Sequence, residues 1–401
     1  MLIQFSFKNF KVFKEEVLLD FLPASINEHK NTLLKDPADG ECILPLIGIY
    51  GPNSGGKSTV LNALSCLSSL VTASVTVPTR IKDVHCLFSS DCKDIPTQFD
   101  VLFRSQGFLF RYQLQFLKGN IAEENLFYGS LGGSDTGILF NRKESVIHPG
   151  RELISFPLKA VPPSVTLLSW LNAYTDSMHA KAAYSWFSRI QGSSPRELPS
   201  DADTRRRLCG ILQDLGLDIA DYSIIPDSDH KSPAAFLVHS PYEGCTYELP
   251  WEEESMGTKK LLSLLPSIQT SLDDGSLMMA DDLDCILHPH ALRYLIALYA
   301  NRERNPHNAQ LLFTAHNTAI LQPTQMRRDE IWLCCRQEGQ DTELYPLSSY
   351  KKENGLIPRN DEAYGKQYLE GRYGAMPNIR IPYAFCIIKK AAADSFLRRH
   401  I

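Results

Sequence analysis

The residues with the clearest chemical potential lie in the segment Gly51 to Ser58, which fits the pattern G-x-x-x-x-G-K-[ST]. An apolar run precedes it and a helix-like run follows it, so a strand, a glycine-rich loop and a helix are predicted. Amides of the loop and of the helix N-terminus would face phosphate oxygens. Lys57 could neutralise the β- and γ-phosphates, and the hydroxyl of Ser58 could bind Mg²⁺. The predicted phosphate-binding residues are Asn53, Ser54, Gly55, Gly56, Lys57, Ser58 and Thr59.

An apolar run at residues 277–280 is followed by two carboxylates, Asp281 and Asp282. In P-loop ATPases, a strand that ends in this way presents one carboxylate to Mg²⁺ and the other to the attacking water. The alternative is a strand that ends in an ordinary polar turn, which would be preferred if no phosphate loop preceded it. We therefore expect Asp281 to bind Mg²⁺ and Asp282 to orient water.

Two more polar positions extend the predicted site. His316 ends a second apolar strand, where an imidazole could serve the γ-phosphate as donor or proton relay. Ser255, Gly257 and Thr258 open a helix whose N-terminus could bind an anion. Because the chain already has a phosphate loop, this second surface suggests binding of the nucleotide of a neighbouring subunit. The alternatives are a polar strand end and an ordinary helix cap.

The elements that must position these residues can be predicted from apolar periodicity. Residues 2–21 predict a hairpin, and period-two patterns at residues 98–104 and 108–116 predict paired antiparallel strands. Residues 163–216 change to helical periodicity, which predicts a helical insertion. Sustained heptads are absent from the sequence, so a compact module is expected rather than a long coiled coil.

Several of these segments together resemble a known family. Residues 50–58, 254–258, 281–289 and 314–317 resemble the ABC-like ATPases of the AAA-15/AAA-21 type, relatives of the SMC, RecF and OLD heads. Residues 8–16 look like the opening stretch of that family. Residues 368–377 are similar to the tail of the RloA/AbiL-type ATPases of bacterial phage-defence systems. The resemblance spans nearly the whole chain except the helical insertion.

The resemblance implies an α/β fold, an ABC-type P-loop ATPase head with a mixed sheet core and an antiparallel β layer, to which the periodicity adds the helical insertion. Residues 1–160 would form the N-terminal part of the head with the phosphate loop. Residues 161–234 would form the insertion. Residues 235–401 would form the C-terminal part, with the signature, the acidic strand and the switch histidine.

The resemblance also implies ATP and Mg²⁺ as cofactors, with Ser58 and Asp281 holding the metal. The implied catalytic residues are Lys57, Asp282 and His316. Ser255, Gly257 and Thr258 would complete the site in trans, in a homodimer or higher homo-oligomer. Three further residues match the family less securely: Asp284 and His288 would lie near the dimer seam, and Gln98 is a candidate for the Q-loop glutamine.

The function implied is that of an ATP-binding and ATP-hydrolysing regulator. It would be the sensor subunit of an antiphage, abortive-infection system that controls a separate toxic effector, expected to be a Toprim-type protein, with a phage protein or DNA as trigger. One departure concerns Asp282, where the family usually has Glu, because the shorter side chain could slow hydrolysis. The alternatives are a nucleotide-gated scaffold with little hydrolysis and a RecF/SMC-like DNA-repair ATPase.

Composition narrows the class of protein further. With 401 residues, 43% hydrophobic and 22% charged, the chain can bury a large core, and its net charge of -5 supplies no global attraction to nucleic acid. No apolar run is long enough for a signal peptide or a membrane span, so a cytoplasmic location without a membrane partner is expected. The ten cysteines lack CxxC spacing and are interpreted as reduced core thiols.

Overall fold

The fold is described from a computed structural model of the 401-residue chain. The structure describes residues 1–72, 75, 84–131, 136–156, 158, 161–192, 198–225, 234–242, 244–285, 287–336, 341–351, 355 and 357–375. Met376 and Pro377, the last two residues of the tail motif, lie outside the described residues.

Strands and helices alternate along the described chain. The strands are β1 (Leu2–Lys8), β2 (Val17–Asp20), β3 (Leu34–Lys35), β4 (Cys42–Ile43), β5 (Leu46–Tyr50), β6 (Thr97–Ser105), β7 (Phe108–Leu117), β8 (Asn120–Ser130), β9 (Thr136–Lys143), β10 (Val146–Pro149), β11 (Gln191–Gly192), β12 (Ile219–Ile225), β13 (Ala234–Tyr242), β14 (Cys245–Pro250), β15 (Leu277–Ala280), β16 (Gln310–Ala315), β17 (Ile331–Arg336) and β18 (Thr342–Pro346). The α-helices are α1 (Lys57–Thr72), α2 (Leu167–Tyr174), α3 (Met178–Ser188), α4 (Ala202–Asp214), α5 (Met256–Asp274), α6 (Pro289–Ala300) and α7 (Tyr364–Leu369).

A six-stranded central sheet has the order β11-β15-β16-β5-β17-β18. Its strands are parallel except for β18, which runs antiparallel to β17. Every residue of β5, β15 and β16 is buried, as expected for parallel strands covered on both faces. The carboxyl ends of these three strands meet at one edge, which is where ligands bind in open α/β sheets.

A seven-stranded antiparallel sheet forms the second layer, in the order β10-β9-β8-β7-β6-β1-β2. The predicted hairpin is confirmed, since β1 pairs with β2 and Phe5 lies opposite Leu19. The predicted β6–β7 pair is also confirmed. Gln106 and Gly107 make its tight turn with φ of 49° and 83°. The fold class predicted from the sequence, an α/β P-loop head with an antiparallel layer, is the one observed.

The 161–234 segment, predicted as a helical insertion, contains α2, α3 and α4 but is not helical throughout. Strand β11 pairs with β15 and extends the central sheet. All residues 167–171 of α2 are buried, so this helix lies inside the core with α1 and α3 rather than on the surface. Strand β12 pairs with β13 in a separate three-stranded sheet, β12-β13-β14, which contacts α4. The segment is therefore divided between the head and this small sheet.

The core comprises two clusters of buried apolar side chains. One contains residues of the antiparallel sheet with those of α1, α2 and α3. The other joins the central sheet to α4, α5, α6 and α7. None of the described helices is both long and apolar enough to cross a membrane.

Candidate nucleotide-binding site

The loop between β5 and α1 lies against the backbone of β17. A Cβ atom on Gly51 would come within 1.9 Å of the carbonyl oxygen of Cys334. Gly56 has φ of +104°, and a Cβ there would meet the side chain of Thr342 at 2.9 Å. Both positions therefore require glycine, the first for close approach and the second also for its backbone conformation. The thiol of Cys334 donates to the carbonyl of Gly55 at 3.0 Å and so fixes the loop to β17.

Lys57 is the first residue of α1 and is only 5% exposed. Its ammonium donates to the carbonyls of Gly51 at 3.0 Å and Pro52 at 3.1 Å. Burial lowers its pKa, and the negative charge of Asp282 opposes this shift only in part. Phosphate oxygens would be stronger acceptors for this ammonium than two neutral carbonyls, because charge-assisted hydrogen bonds are about twice as strong.

Ser58 and Asp281 meet although 223 positions separate them in sequence: the Ser58 hydroxyl donates to Asp281 Oδ1 at 2.9 Å. Thr314 Oγ1 donates to the same oxygen at 2.6 Å and accepts the amide of Asp282 at 2.7 Å. A hydroxyl and a carboxylate are the hard oxygen donors that Mg²⁺ prefers, supplemented by water and phosphate oxygens. The donor set therefore fits Mg²⁺, which Ser58 and Asp281 would hold.

Asp282 and His316 lie side by side at the same edge of the sheet. Asp282 Oδ1 is 3.5 Å from His316 Nε2, and the two side chains are 45% and 36% exposed. Asp282 has a left-handed backbone, with φ of +47°. The structure thus brings the two predicted catalytic side chains together where water can reach them.

Asp284 contacts the histidine segment, residues 316–320, within the same chain. Its Oδ2 accepts the backbone amides of His316, at 2.7 Å, and of Asn317. Its Oδ1 is buried and, like the hydroxyl of Tyr50, has no hydrogen-bond partner among the described residues. The position near a dimer seam that the resemblance implies for Asp284 stays a prediction, and the observed contact fixes the backbone beside His316. His288, assigned to the same seam, is exposed and stacks on His290.

The helix N-terminus at α5 is built as predicted. The Ser255 hydroxyl caps the helix by accepting the amide of Thr258 at 3.1 Å. Ser255 is exposed, and Met256 is 68% exposed. No hydrogen bond among the described residues joins this segment to the phosphate loop of the same chain. The segment therefore presents a free helix N-terminus to solvent.

Gln98, the candidate Q-loop glutamine, lies on β6 and lines a cavity of the antiparallel sheet together with Lys8, Glu16 and Glu123. Its described neighbours are residues of that sheet. Thr314 and Cys334 were missed by sequence reasoning. A single hydroxyl in an apolar strand, two residues before His316, was the available signal for Thr314, whereas Cys334 has the sequence context of an ordinary core residue.

Comparison with known proteins adds an independent observation. The sequence model of one family, described as "AAA domain, putative AbiEii toxin, Type IV TA system", matches residues 46–322. This range is more than two thirds of the chain and contains the phosphate loop, Asp281 and His316. The chain belongs to this family. The protein is thus a member of a P-loop ATPase family. Membership of this family implies that it binds a nucleotide, and the geometry described above is consistent with this.

A solved SMC head domain from Pyrococcus furiosus, with an extended coiled coil and bound to the C-terminal domain of ScpA, matches over 86% of this chain and 96% of that chain. The sequence identity is 10% and the TM-score is 0.40. No curated protein matches this sequence.

Proposed function

We propose that this AAA-family protein binds ATP with Mg²⁺ and hydrolyses it at a composite site between two copies of the chain. The phosphate loop of one copy would face residues 255–258 of the other. The observation that carries the proposal is the contact between Ser58 and Asp281, which joins the loop to the acidic strand beside Lys57. The exposed N-terminus of α5 supports the second half of the site.

The chain's own residues account for most of the proposed mechanism. Lys57 and the loop amides would bind the phosphates, and Ser58 and Asp281 would hold Mg²⁺. When bound, Mg²⁺ supplies charge neutralisation at the β- and γ-phosphates. Asp282 would orient a water molecule and accept its proton, and His316 beside it would donate to the γ-phosphate oxygens. Thr314, which donates to the Asp281 carboxylate and accepts the backbone amide of Asp282, would hold that carboxylate and the Asp282 backbone in place.

Steady-state release of inorganic phosphate tests this proposal. We expect the wild type to release phosphate with added ATP and Mg²⁺, and Lys57→Ala to lose this activity because no side chain replaces the ammonium. Lys181→Ala is the matched control, since Lys181 is an exposed lysine of α3 that pairs with Asp176 and contacts no residue of the phosphate loop among its described hydrogen bonds. Equal release by wild type and Lys57→Ala would contradict the proposal.

A nucleotide-gated scaffold with little hydrolysis is the second candidate, and it is favoured by one observation. Asp282 is shorter than Glu, and its carboxylate must reach the water from a left-handed backbone. Negligible phosphate release by a wild type that binds ATP tightly would support the scaffold. Faster release by Asp282→Glu would show that the short side chain limits turnover.

We further propose that the protein is the sensing or regulatory subunit of an antiphage system whose toxic chemistry lies in a separate effector, by resemblance a Toprim-type protein. Two observations support this: the family description names a putative AbiEii toxin and a type IV toxin–antitoxin system, and residues 368–377 resemble the tail of the RloA/AbiL-type ATPases of phage-defence systems. Helix α7, whose last two residues are the first two of that tail, contacts residues 318–320, close after His316. This contact offers a route from the nucleotide site to the tail.

Phage challenge tests the proposed role. We expect protection by the native operon to be lost in the Lys57→Ala strain and also after deletion of the adjacent effector gene. Protection that persists without the neighbouring gene would contradict the two-protein arrangement. That result would not bear on ATP hydrolysis, which the phosphate-release assay tests separately.

A further inference from the structure

His239 connects the small three-stranded sheet to two carboxylates. It lies on β13 and is 7% exposed. Its Nδ1 is 2.8 Å from Asp218 Oδ1, and its Nε2 is 2.5 Å from Glu254 Oε1. The ring stacks on Tyr247 of β14 with centroids 5.0 Å apart and an interplanar angle of 8°. Because carboxylates accept, an imidazole that satisfies both sides must donate from both nitrogens and carry a positive charge.

Glu254 links His239 to the N-terminus of α5. It is 8% exposed and immediately precedes Ser255, whose backbone amide donates to Glu254 Oε2 at 3.2 Å. Ser255 then caps α5 through the amide of Thr258. A continuous chain of hydrogen bonds therefore runs from Asp218 and β13, through His239 and Glu254, to the exposed residues 255–258.

We propose that His239, as an imidazolium, is a positioning residue that holds residues 255–258 in the conformation needed to meet the nucleotide of a second copy. The inference rests on the proposed composite site. A neutral ring can donate only one proton, which would leave Asp218 or Glu254 without a donor. A buried carboxylate that loses its cation is costly, so Glu254 and the amide of Ser255 would shift together.

The same geometry gives a pH dependence. Burial lowers the pKa of His239, but its hydrogen bonds to Asp218 and Glu254 outweigh burial, so the pKa is raised above its usual 6.5. A raised folded-state pKa means that the contact is fully present below the usual pKa and is lost as pH rises through the raised value. The groups that face the ring are Asp218, Glu254 and Tyr247.

Hydrogen exchange of the full-length protein tests the positioning role without requiring dimers or hydrolysis. In His239→Gln we expect amides of residues 255–258 to exchange at least tenfold faster than in wild type at pH 7, while α1 is unchanged. His179→Gln is the matched control, because His179 also pairs with a carboxylate, Glu152 at 2.6 Å, and stacks on a tyrosine, Tyr128. Equal exchange at residues 255–258 in both variants would overturn the inference.

Asp218→Asn covers the case in which His239→Gln fails to fold. Asparagine keeps an acceptor for His239 but removes one charge, so the pH at which residues 255–258 begin to exchange faster should shift downward. An unshifted pH dependence would overturn the inference.

Phosphate release separates this inference from the proposed function. We expect His239→Gln to need at least tenfold more protein for half-maximal specific activity, with the Kd of one subunit for ATP within twofold of wild type. A wild type without activity would defeat the composite site, and the exchange data would still decide the role of His239. Unchanged protein dependence in an active His239→Gln variant would count against the inference.

Discussion

At the scale of single residues, Asp282 combines two requirements. Its φ of +47° lies in a region that most side chains avoid and that Asp and Asn tolerate best. Its carboxylate also lies 3.5 Å from His316, at the edge where we propose that it orients water. The backbone therefore gives a physical reason for Asp where the family usually has Glu, and the shorter side chain does not by itself imply a damaged site.

We expect Asp282→Asn to lower kcat for ATP hydrolysis by about 10²–10⁴-fold, because a positioned base typically contributes that much. Asparagine tolerates the same backbone, so the Kd for ATP and the melting temperature should stay near those of wild type. Phosphate release, ATP titration and thermal melts measure the three quantities. A kcat within threefold of wild type would show that another group orients the water.

Glu330, outside the nucleotide site, predicts a pH dependence of stability. Burial raises the pKa of its carboxyl to about 8, and its Oε1 has no partner among the described residues. A carboxyl with a raised pKa stabilises the fold below its unfolded pKa and loses that contribution as pH rises toward 8. Glu330→Gln should therefore raise the free energy of unfolding by ~5 kcal/mol at pH 9 and change it little at pH 5.

Denaturant unfolding at the two pH values measures this effect. Glu303→Gln, at an exposed carboxylate, is the control and should give no pH-dependent difference. A Glu330→Gln variant whose stability difference from wild type is the same at pH 5 and pH 9 would contradict the raised pKa.

At the scale of elements, the short helix α7 lies close to the segment that follows His316. The amide of Gly365 donates to the carbonyl of Leu321 at 2.9 Å, and a Cβ on Gly365 would lie 2.6 Å from the carbonyl oxygen of Thr318. That carbonyl belongs to the backbone and cannot move away alone. The packing of α7 is thus tied to the position of the histidine segment.

We expect Gly365→Ala to destabilise the protein by about 1–3 kcal/mol, the usual range for overpacking, and to lower kcat by displacing residues 316–320. Gly210→Ala is the control: Gly210 lies inside α4 with nothing within 4 Å of a new Cβ, so alanine should stabilise by up to ~1 kcal/mol. Thermal melts and phosphate release measure both variants. Unchanged kcat in a destabilised Gly365→Ala variant would show that the packing of α7 does not affect the position of residues 316–320.

The elements also show how far the sequence predicts the structure. Strands β6 and β7 follow from alternating apolar residues, and the site from Gly51 to His316 follows from the order of its motifs. Strand β11 has only two residues, and its pairing with β15 is a long-range event that no local pattern signals. The contact of Thr314 with Asp281 and that of Cys334 with the phosphate loop likewise depend on strand neighbours that are distant in sequence.

At the scale of the whole molecule, no described hydrogen bond joins the two halves of the proposed site within one chain. Lys57, Ser58, Asp281 and Asp282 meet at the edge of the central sheet, while Ser255 caps α5 at that helix's exposed N-terminus. If the site is composite, lesions on the two surfaces should complement each other when copies are mixed.

We therefore expect a mixture of Lys57→Ala and Ser255→Glu proteins, each inactive alone, to regain phosphate release. In the mixed dimer, one site combines an intact loop with an intact helix N-terminus. A mixture of Lys57→Ala and Asp282→Asn should stay inactive, because both lesions lie on the loop side and spoil every site. Equal behaviour of the two mixtures would contradict assembly in trans.

Strand β5 is synthesised long before the strands that it pairs with in the central sheet. Its sheet neighbours, β16 and β17, begin at Gln310 and Ile331, so this buried strand leaves the ribosome more than 250 residues before either of them. At 5–20 residues per second, the delay is roughly 15–50 s. During that time the nascent phosphate loop has no strand beneath it and no Asp281 beside it. We expect nucleotide binding to begin only near the end of translation. Until then, we expect chaperones to bind the unpaired, apolar strand β5.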